Sequence, residues 1–264
     1  MPPQLNGESI IVTGAGRGIG RAVAVAFARS GARVTIMSRT EDELKGTAAL
    51  IEAAGGQVAL AVGDVALEPD VRRLEKTARR LGDVSTLVNC AGVAPPFGPI
   101  IAVDAELWWR SQSVHVRGTL LCAKAVLPGM RKRQSGCIIN IVSLAGTRVI
   151  PNLSGYAVSK ASVIRLTEHL AEEMRPYGVF AYAVEPGTIL TRMAKDTMES
   201  VEARKWVPGL VDRLKAIDRS TSDQRLGRCA DICLALALRK YPELSGQYLT
   251  PESFPNGTLA RPDA

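Results

Sequence analysis

The stretch SIIVTGAGRGIGRAVAVAFARS, residues 9–30, decides the fold. Its first part, Ser9 to Thr13, is apolar and β-branched with no polar alternation, the pattern of a strand buried on both faces. From about Gly18 to Ser30 the apolar residues recur at helical spacing. Between the two lies TGAGRGIG, Thr13 to Gly20. A glycine-rich turn from strand to helix lets the backbone approach a pyrophosphate, which then rests on the helix N-terminus. The spacing is Gly14-x-x-x-Gly18-x-Gly20 instead of the common G-x-G-x-x-G, and the lysine–Ser/Thr ending of a triphosphatase loop is missing.

The rhythm continues outward from this unit. ARVTIMSR, QVALAVGDV, VSTLVNCAG, GCIINIVS, VFAYAVEPG and GQYLT read as six further strands. Helices are expected over EDELKGTAALIEAAGG, from Glu68 to Leu81, from about Ala105 to Met130, from about Ser154 to Arg175, and over ADICLALAL. This alternation predicts an α/β fold, a single doubly wound Rossmann-type domain whose parallel sheet of about seven strands has helices on both faces. The whole chain, 1–264, reads as one domain. The long polar break at 188–225, which holds Trp206, reads as a lid over the site.

Composition narrows the classes. Apolar residues make up 46% of the 264, enough for a core and too many for disorder. The net charge of +7 is spread along the chain, without the clustered basic face that a nucleic-acid binder needs. The one tight cluster, Arg131 to Arg133, reads as a solvated helix end. Five cysteines without paired spacing read as buried thiols, and no metal site is expected at Cys229 and Cys233. No apolar run is long enough to span a bilayer and no signal pattern opens the chain, so a cytoplasmic setting without membrane contact is the expectation.

The end of the second strand bears on the dinucleotide. An acid there would accept from a ribose 2′-hydroxyl and favour NAD; Ser38 and Arg39 stand there instead and suit a 2′-phosphate. NADP is therefore expected and NAD is the alternative. Arg17 adds to the phosphate site, while Glu41 and Asp42 read as charges at the start of the next helix. Farther on, Tyr156 and Lys160 stand four apart, on one helical face.

Taken together, Thr13 to Gly20, Asn89-Cys90-Ala91-Gly92, Ser143, Tyr156-Ala157-Val158-Ser159-Lys160 and Pro186-Gly187 resemble, in order and context, the short-chain dehydrogenase/reductase family. The resemblance runs from about Leu5 to Thr250. It implies NAD(P) binding and hydride transfer to or from a carbonyl or secondary alcohol carbon, with NADP(H) favoured by Ser38 and Arg39. It implies that Gly14, Gly18 and Gly20 cradle the pyrophosphate and that Ile19 packs near the nicotinamide side. Asp64 then faces the adenine, Asn89, Ala91 and Gly92 floor the ribose, Thr191 reaches the carboxamide, and Val65, Pro186 and Gly187 also join the cofactor site. Tyr156 is the expected acid and base, its phenol brought down by the Lys160 ammonium. Ser143 is expected to hold the substrate oxygen. Where the family usually has an asparagine that helps hold a water reaching the lysine, this chain has His115; binding that water, relaying protons itself, perturbing the site and simply packing without a role all stay open for it. His169 reads as a surface or interface residue. The resemblance also implies a homo-oligomer, dimer or tetramer, built through the helices around 105–130 and 154–175.

The substrate walls are expected from Leu144, Ala145 and Gly146, the loop Val93 to Gly98, and the lid with Met193, Met198 and Trp206. Two other functions stay open: an NAD-dependent sugar or polyol dehydrogenase, and a protein that binds NADP(H) without turnover. The tail PESFPNGTLARPDA departs from the family's usual ending.

Overall fold

A computed structural model describes residues 5–255, and most of the C-terminal tail lies outside them. Seven parallel strands form one sheet in the order β3-β2-β1-β4-β5-β6-β7. They are β1 (Ser9–Thr13), β2 (Arg33–Ser38), β3 (Gln57–Val62), β4 (Val84–Asn89), β5 (Gly136–Ile141), β6 (Val179–Val184) and β7 (Tyr248–Leu249). All seven expected strands are present. The central ones form because Ile10, Val12, Val34, Ile36, Val88 and Ile139 are fully removed from water, each burial contributing roughly 1.5–3 kcal/mol before chain entropy is counted.

Helices α1 (Gly18–Arg29), α2 (Glu41–Ala53) and α10 (Arg219–Ala237) cover one face, packing Phe27, Leu44, Ile51 and Ile232 into a common core. Helices α3 (Glu68–Arg79), α5 (Gly118–Arg133) and α6 (Ser154–Met174) cover the other with Leu74, Met130 and Leu170. The long helix expected over 105–130 is interrupted. It runs as α4 (Ala105–Gln112), a π-helical turn over Ser113–Arg117, and α5. The break expected at 188–225 is helical as well: α7 (Arg192–Glu199), α8 (Val201–Trp206) and α9 (Pro208–Lys215), with the last residues already in α10. Side chains of Thr191, Ser200 and Asp218 cap α7, α8 and α10.

The sheet order reverses between β1 and β4, so their carboxyl ends diverge into a crevice, the usual ligand position in such sheets. Thr13 ties the two loops that border it. Its Oγ1 accepts from the backbone N–H groups of Cys90 (3.1 Å) and Ala91 (3.2 Å). Gly14, at φ +66°, sits so close that a Cβ there would stand 2.7 Å from the Ala91 Cα.

Candidate active site

The crevice at this sheet edge gathers most residues of the sequence reading. Gly14, Arg17, Gly18, Ile19, Gly20, Ser38, Arg39, Asp64, Val65, Ala91, Gly92, His115, Tyr156, Lys160, Pro186 and Thr191 all line it. Thr191 packs its methyl group over Gly18, and its hydroxyl accepts from the Ala194 N–H (3.3 Å). Asp64 closes its own turn, Oδ1 accepting from the Ala66 N–H at 2.9 Å.

Asn89 and Gly187 go elsewhere, and Ser143 stands beside Tyr156 outside the lining itself. The side chain of Asn89, expected beside the ribose, turns into the core and donates from Nδ2 to Asn140 Oδ1 at 2.9 Å; Asn140 in turn donates to Thr167 Oγ1 at 2.8 Å. A buried amide follows its hydrogen-bond partners, and these bridge β4, β5 and α6. Gly187 packs against Arg225, outside the cleft wall, and Arg225 donates to the Thr188 carbonyl at 3.0 Å.

The adenosine end holds a residue that sequence reasoning passed over. Glu43, one turn into α2, faces the cleft and binds Arg17 at 2.6 Å, while Glu41 pairs with Lys45 on the outer surface. Thr47, the next turn along, donates to the Ala15 carbonyl at 2.9 Å, so this edge of α2 seats the glycine loop. The signal was the i, i+4 pair Glu43–Thr47 beside the apolar stripe Leu44, Ala48 and Ile51. Arg39 is exposed at the cleft and makes no ion pair among the described residues. Val93 and Met193, expected in the substrate walls, line the crevice, and so does Cys90, which had not been singled out for it.

At the other end Ser143, Tyr156 and Lys160 converge. The turn after β5 lies against the backbone of α6, a Cβ at Gly146 standing 2.7 Å from the Lys160 carbonyl carbon. This contact sets Ser143 beside Tyr156, where its hydroxyl acts to lower the phenol's pKa; Ser143 Oγ also accepts from the Ala145 N–H at 3.2 Å. Lys160 is 7% exposed; its Nζ donates to the Ile141 carbonyl at 2.9 Å and lies 5.6 Å from the Tyr156 ring centroid.

The electrostatics differ from the expectation. Burial pushes the Tyr156 phenol up to about 12, against the lowering effect of the Ser143 hydrogen bond, with Glu185 and Cys90 adding to the rise. Burial also brings Lys160 down to about 8, opposed by Cys90. Within the protein's own groups, desolvation outweighs the lysine–phenol attraction, because the ammonium lies over the ring and points to a carbonyl. The phenol is therefore a neutral acid at neutral pH.

His115 sits in the π-helical turn, 2% exposed and edge-on to Tyr156 with centroids 5.5 Å apart. Its Nε2 faces the Val93 N–H at 3.1 Å and its Nδ1 faces Ser159 Oγ at 2.8 Å. Burial and the Lys160 charge hold its pKa well below the usual imidazole value. His169 is exposed on α6, beside Glu173 at 3.9 Å.

At the 188–225 segment, the Asn152 amide donates to the Trp206 carbonyl at 2.9 Å, and Phe97 packs on Ala203, Val207 and Val211. Cys229 and Cys233 are buried together in α10, and no group of His, Cys, Asp and Glu among the described residues is arranged to hold a metal ion. No helix among the described residues is long and apolar enough to cross a membrane.

A doubly wound sheet with a glycine-rich crevice at its switch point and a Ser–Tyr–Lys cluster beside it defines a nicotinamide-dependent oxidoreductase class. The chain belongs to the short-chain dehydrogenase family, whose model, described as short chain dehydrogenase, matches residues 8–202. Among its relatives, an uncharacterized oxidoreductase of Thermotoga maritima is 36% identical over 230 residues, covering 87% of this chain and 88% of that one. A 2-(S)-hydroxypropyl-CoM dehydrogenase of Xanthobacter autotrophicus is 36% identical over 213 residues, 78% and 83% of the two chains. The crystal structure of levodione reductase superposes with a TM-score of 0.83 at 26% identity, covering 93% and 96%.

Proposed function

We propose that the protein is an NADP(H)-dependent reductase or dehydrogenase acting on a carbonyl or secondary alcohol, with Tyr156 as the acid and base. The observation that carries this reading is Tyr156 and Lys160 lining one end of the glycine-lined cleft, with Lys160 Nζ 5.6 Å from the Tyr156 ring centroid and Ser143 beside the phenol. The glycine loop fits a pyrophosphate, since Gly14 and Gly18 hold positive φ and line the cleft at the N-terminus of α1. When bound, the nicotinamide supplies or accepts the hydride and, oxidised, adds a positive charge. Ser143 positions the substrate oxygen. Tyr156, neutral at working pH, gives its proton to that oxygen as charge builds on it. Lys160 stabilises the phenolate left behind. Exposed Arg39, which lines the same cleft as Arg17, supports a 2′-phosphate, hence NADP.

One observation favours NAD: the Glu43 carboxylate lies in the same cleft and suits a ribose 2′-hydroxyl. The Glu43→Gln variant separates the two, weakening NADH if Glu43 is the acceptor and leaving it unchanged if Arg39 sets the choice. Exposed Leu107, Trp109, Leu120 and Val158 on α4–α6 support a homo-oligomer, which sedimentation measures. The functional test is a screen of ketones, aldehydes, sugars, polyols and alcohols with both dinucleotides, followed by nicotinamide absorbance. Turnover with NADPH on a carbonyl class is expected; dinucleotide binding with no turnover on any class would overturn the enzyme reading.

A further inference from the structure

His115 occupies a position whose hydrogen bonds have only one consistent direction. The Val93 N–H can only donate, so Nε2, 3.1 Å away, must present its lone pair. A neutral imidazole then carries its proton on Nδ1, which faces Ser159 Oγ at 2.8 Å. Ser159 is left free to donate its own hydrogen to the Tyr156 carbonyl, also at 2.8 Å, and a carbonyl only accepts. The chain Val93 N–H, His115, Ser159, Tyr156 C=O is thereby satisfied at every member, with His115 2% and Ser159 0% exposed. A second proton on Nε2 would point at the Val93 N–H. The ionisable groups acting on the ring are Lys160, whose charge opposes that proton, and Tyr156, which meets it edge-on.

We infer that His115 is a positioning residue, a neutral imidazole with its proton fixed on Nδ1 that struts the cleft loop after β4 against the helix carrying Tyr156 and Lys160. For what the site does, this rests on the reading above; its hydrogen bonding does not. The two ends of the ring serve different parts. The loop end holds Val93, next to Ala91 and Gly92 in the cleft wall. The helix end holds Ser159, which lies between the acid and the lysine in sequence. The π-helical turn is what aims the ring inward, and the Thr119 hydroxyl donates to the His115 carbonyl at 2.6 Å. Proton relay through this ring would need it to exchange which nitrogen is protonated, and the Val93 N–H forbids that.

The chain has two histidines, so heteronuclear NMR of the ring nitrogens gives two pairs of signals, and loss of one pair in His115→Asn assigns it. The His115 ring is expected to show the Nδ1–H tautomer unchanged from about pH 5 to about pH 8, where an ordinary imidazole titrates. A signal that titrates in that window, or one protonated on Nε2, would overturn the inference. Two variants then split the strut. Asparagine reaches only as far as Nδ1, keeping Ser159 and releasing Val93; the Kd for NADPH is expected to rise about three- to tenfold, more than kcat falls. Glutamine reaches the Nε2 position, keeping Val93 and releasing Ser159; kcat is expected to fall about three- to tenfold, more than the Kd rises. The same balance of effects in both variants would also overturn it. The NMR and the Kd need no turnover, so they stand even if the enzyme reading fails.

Discussion

Replacing Gly14 by alanine tests how the crevice is built. A Cβ at Gly14 would stand 2.7 Å from the Ala91 Cα, 2.8 Å from the Ala91 nitrogen and 2.9 Å from the Cys90 carbonyl carbon. All three are backbone atoms, so no rotamer change relieves the overlap. The residue also holds φ +66°, which costs an alanine about 1–2 kcal/mol. Gly55 is the natural control: its φ is +76°, yet nothing lies within 4 Å of its Cβ position. Gly55→Ala should therefore cost about 1 kcal/mol, since a stiffer unfolded chain offsets part of the penalty. Gly14→Ala should add a further 1–3 kcal/mol or so of overpacking, or push the Cys90–Ala91 loop outward. Urea unfolding at unchanged slope measures both variants. Displacing that loop should also weaken NADPH by about tenfold or more, a loss of roughly 1.4 kcal/mol. If Gly14→Ala is no more damaging than Gly55→Ala and binds dinucleotide normally, the close approach of the two loops is wrong.

Arg39→Asp should shift the ratio of NADPH to NADH affinity by about tenfold or more toward NADH, the scale of one charge-assisted hydrogen bond, and equilibrium titrations of both dinucleotides read it. Burial raises the Cys122 and Cys137 thiols to about 12, against 9.0 ordinarily. Above pH 9 the unfolded thiols ionise while the folded ones stay protonated, so folding stability should fall as pH rises through that window, by up to about 1.4 kcal/mol per pH unit per thiol. Lys160 acts oppositely, brought down to about 8 from 10.5, so stability from this group should rise as pH climbs between the two values. Denaturation of wild type, Cys122→Ala and Lys160→Met across alkaline pH separates the two slopes.

The sheet was legible because its strands are buried on both faces, which leaves uninterrupted runs such as Ile10 to Val12 and Ile138 to Ile139. The glycine-lined crevice was legible because glycines mark where backbone must come close, as at Gly14 against Ala91. The π-helical turn was not. Ser113 to Arg117 keeps the apolar spacing of the surrounding helix, and one extra residue in a turn leaves no compositional mark. The short helices after β6 were hidden by their polarity, although Thr191 and Ser200 stand as N-caps in plain view. Asn89 was misplaced because a motif gives a residue's position and not the direction its amide turns. The Tyr156–Lys160 pair was legible as a pair, but the sign of the phenol's shift depends on how deeply each group is buried, which sequence does not carry.

The most direct test of the proposed chemistry compares wild type with Tyr156→Phe in two measurements on the same preparations, NADPH affinity and single-turnover hydride transfer to the best carbonyl from the screen. Removing one hydroxyl should leave the Kd within about twofold and slow transfer by about a hundredfold or more, the worth of a positioned acid. Transfer that survives the substitution, or a loss of affinity as large as the loss of rate, would contradict Tyr156 as the proton donor.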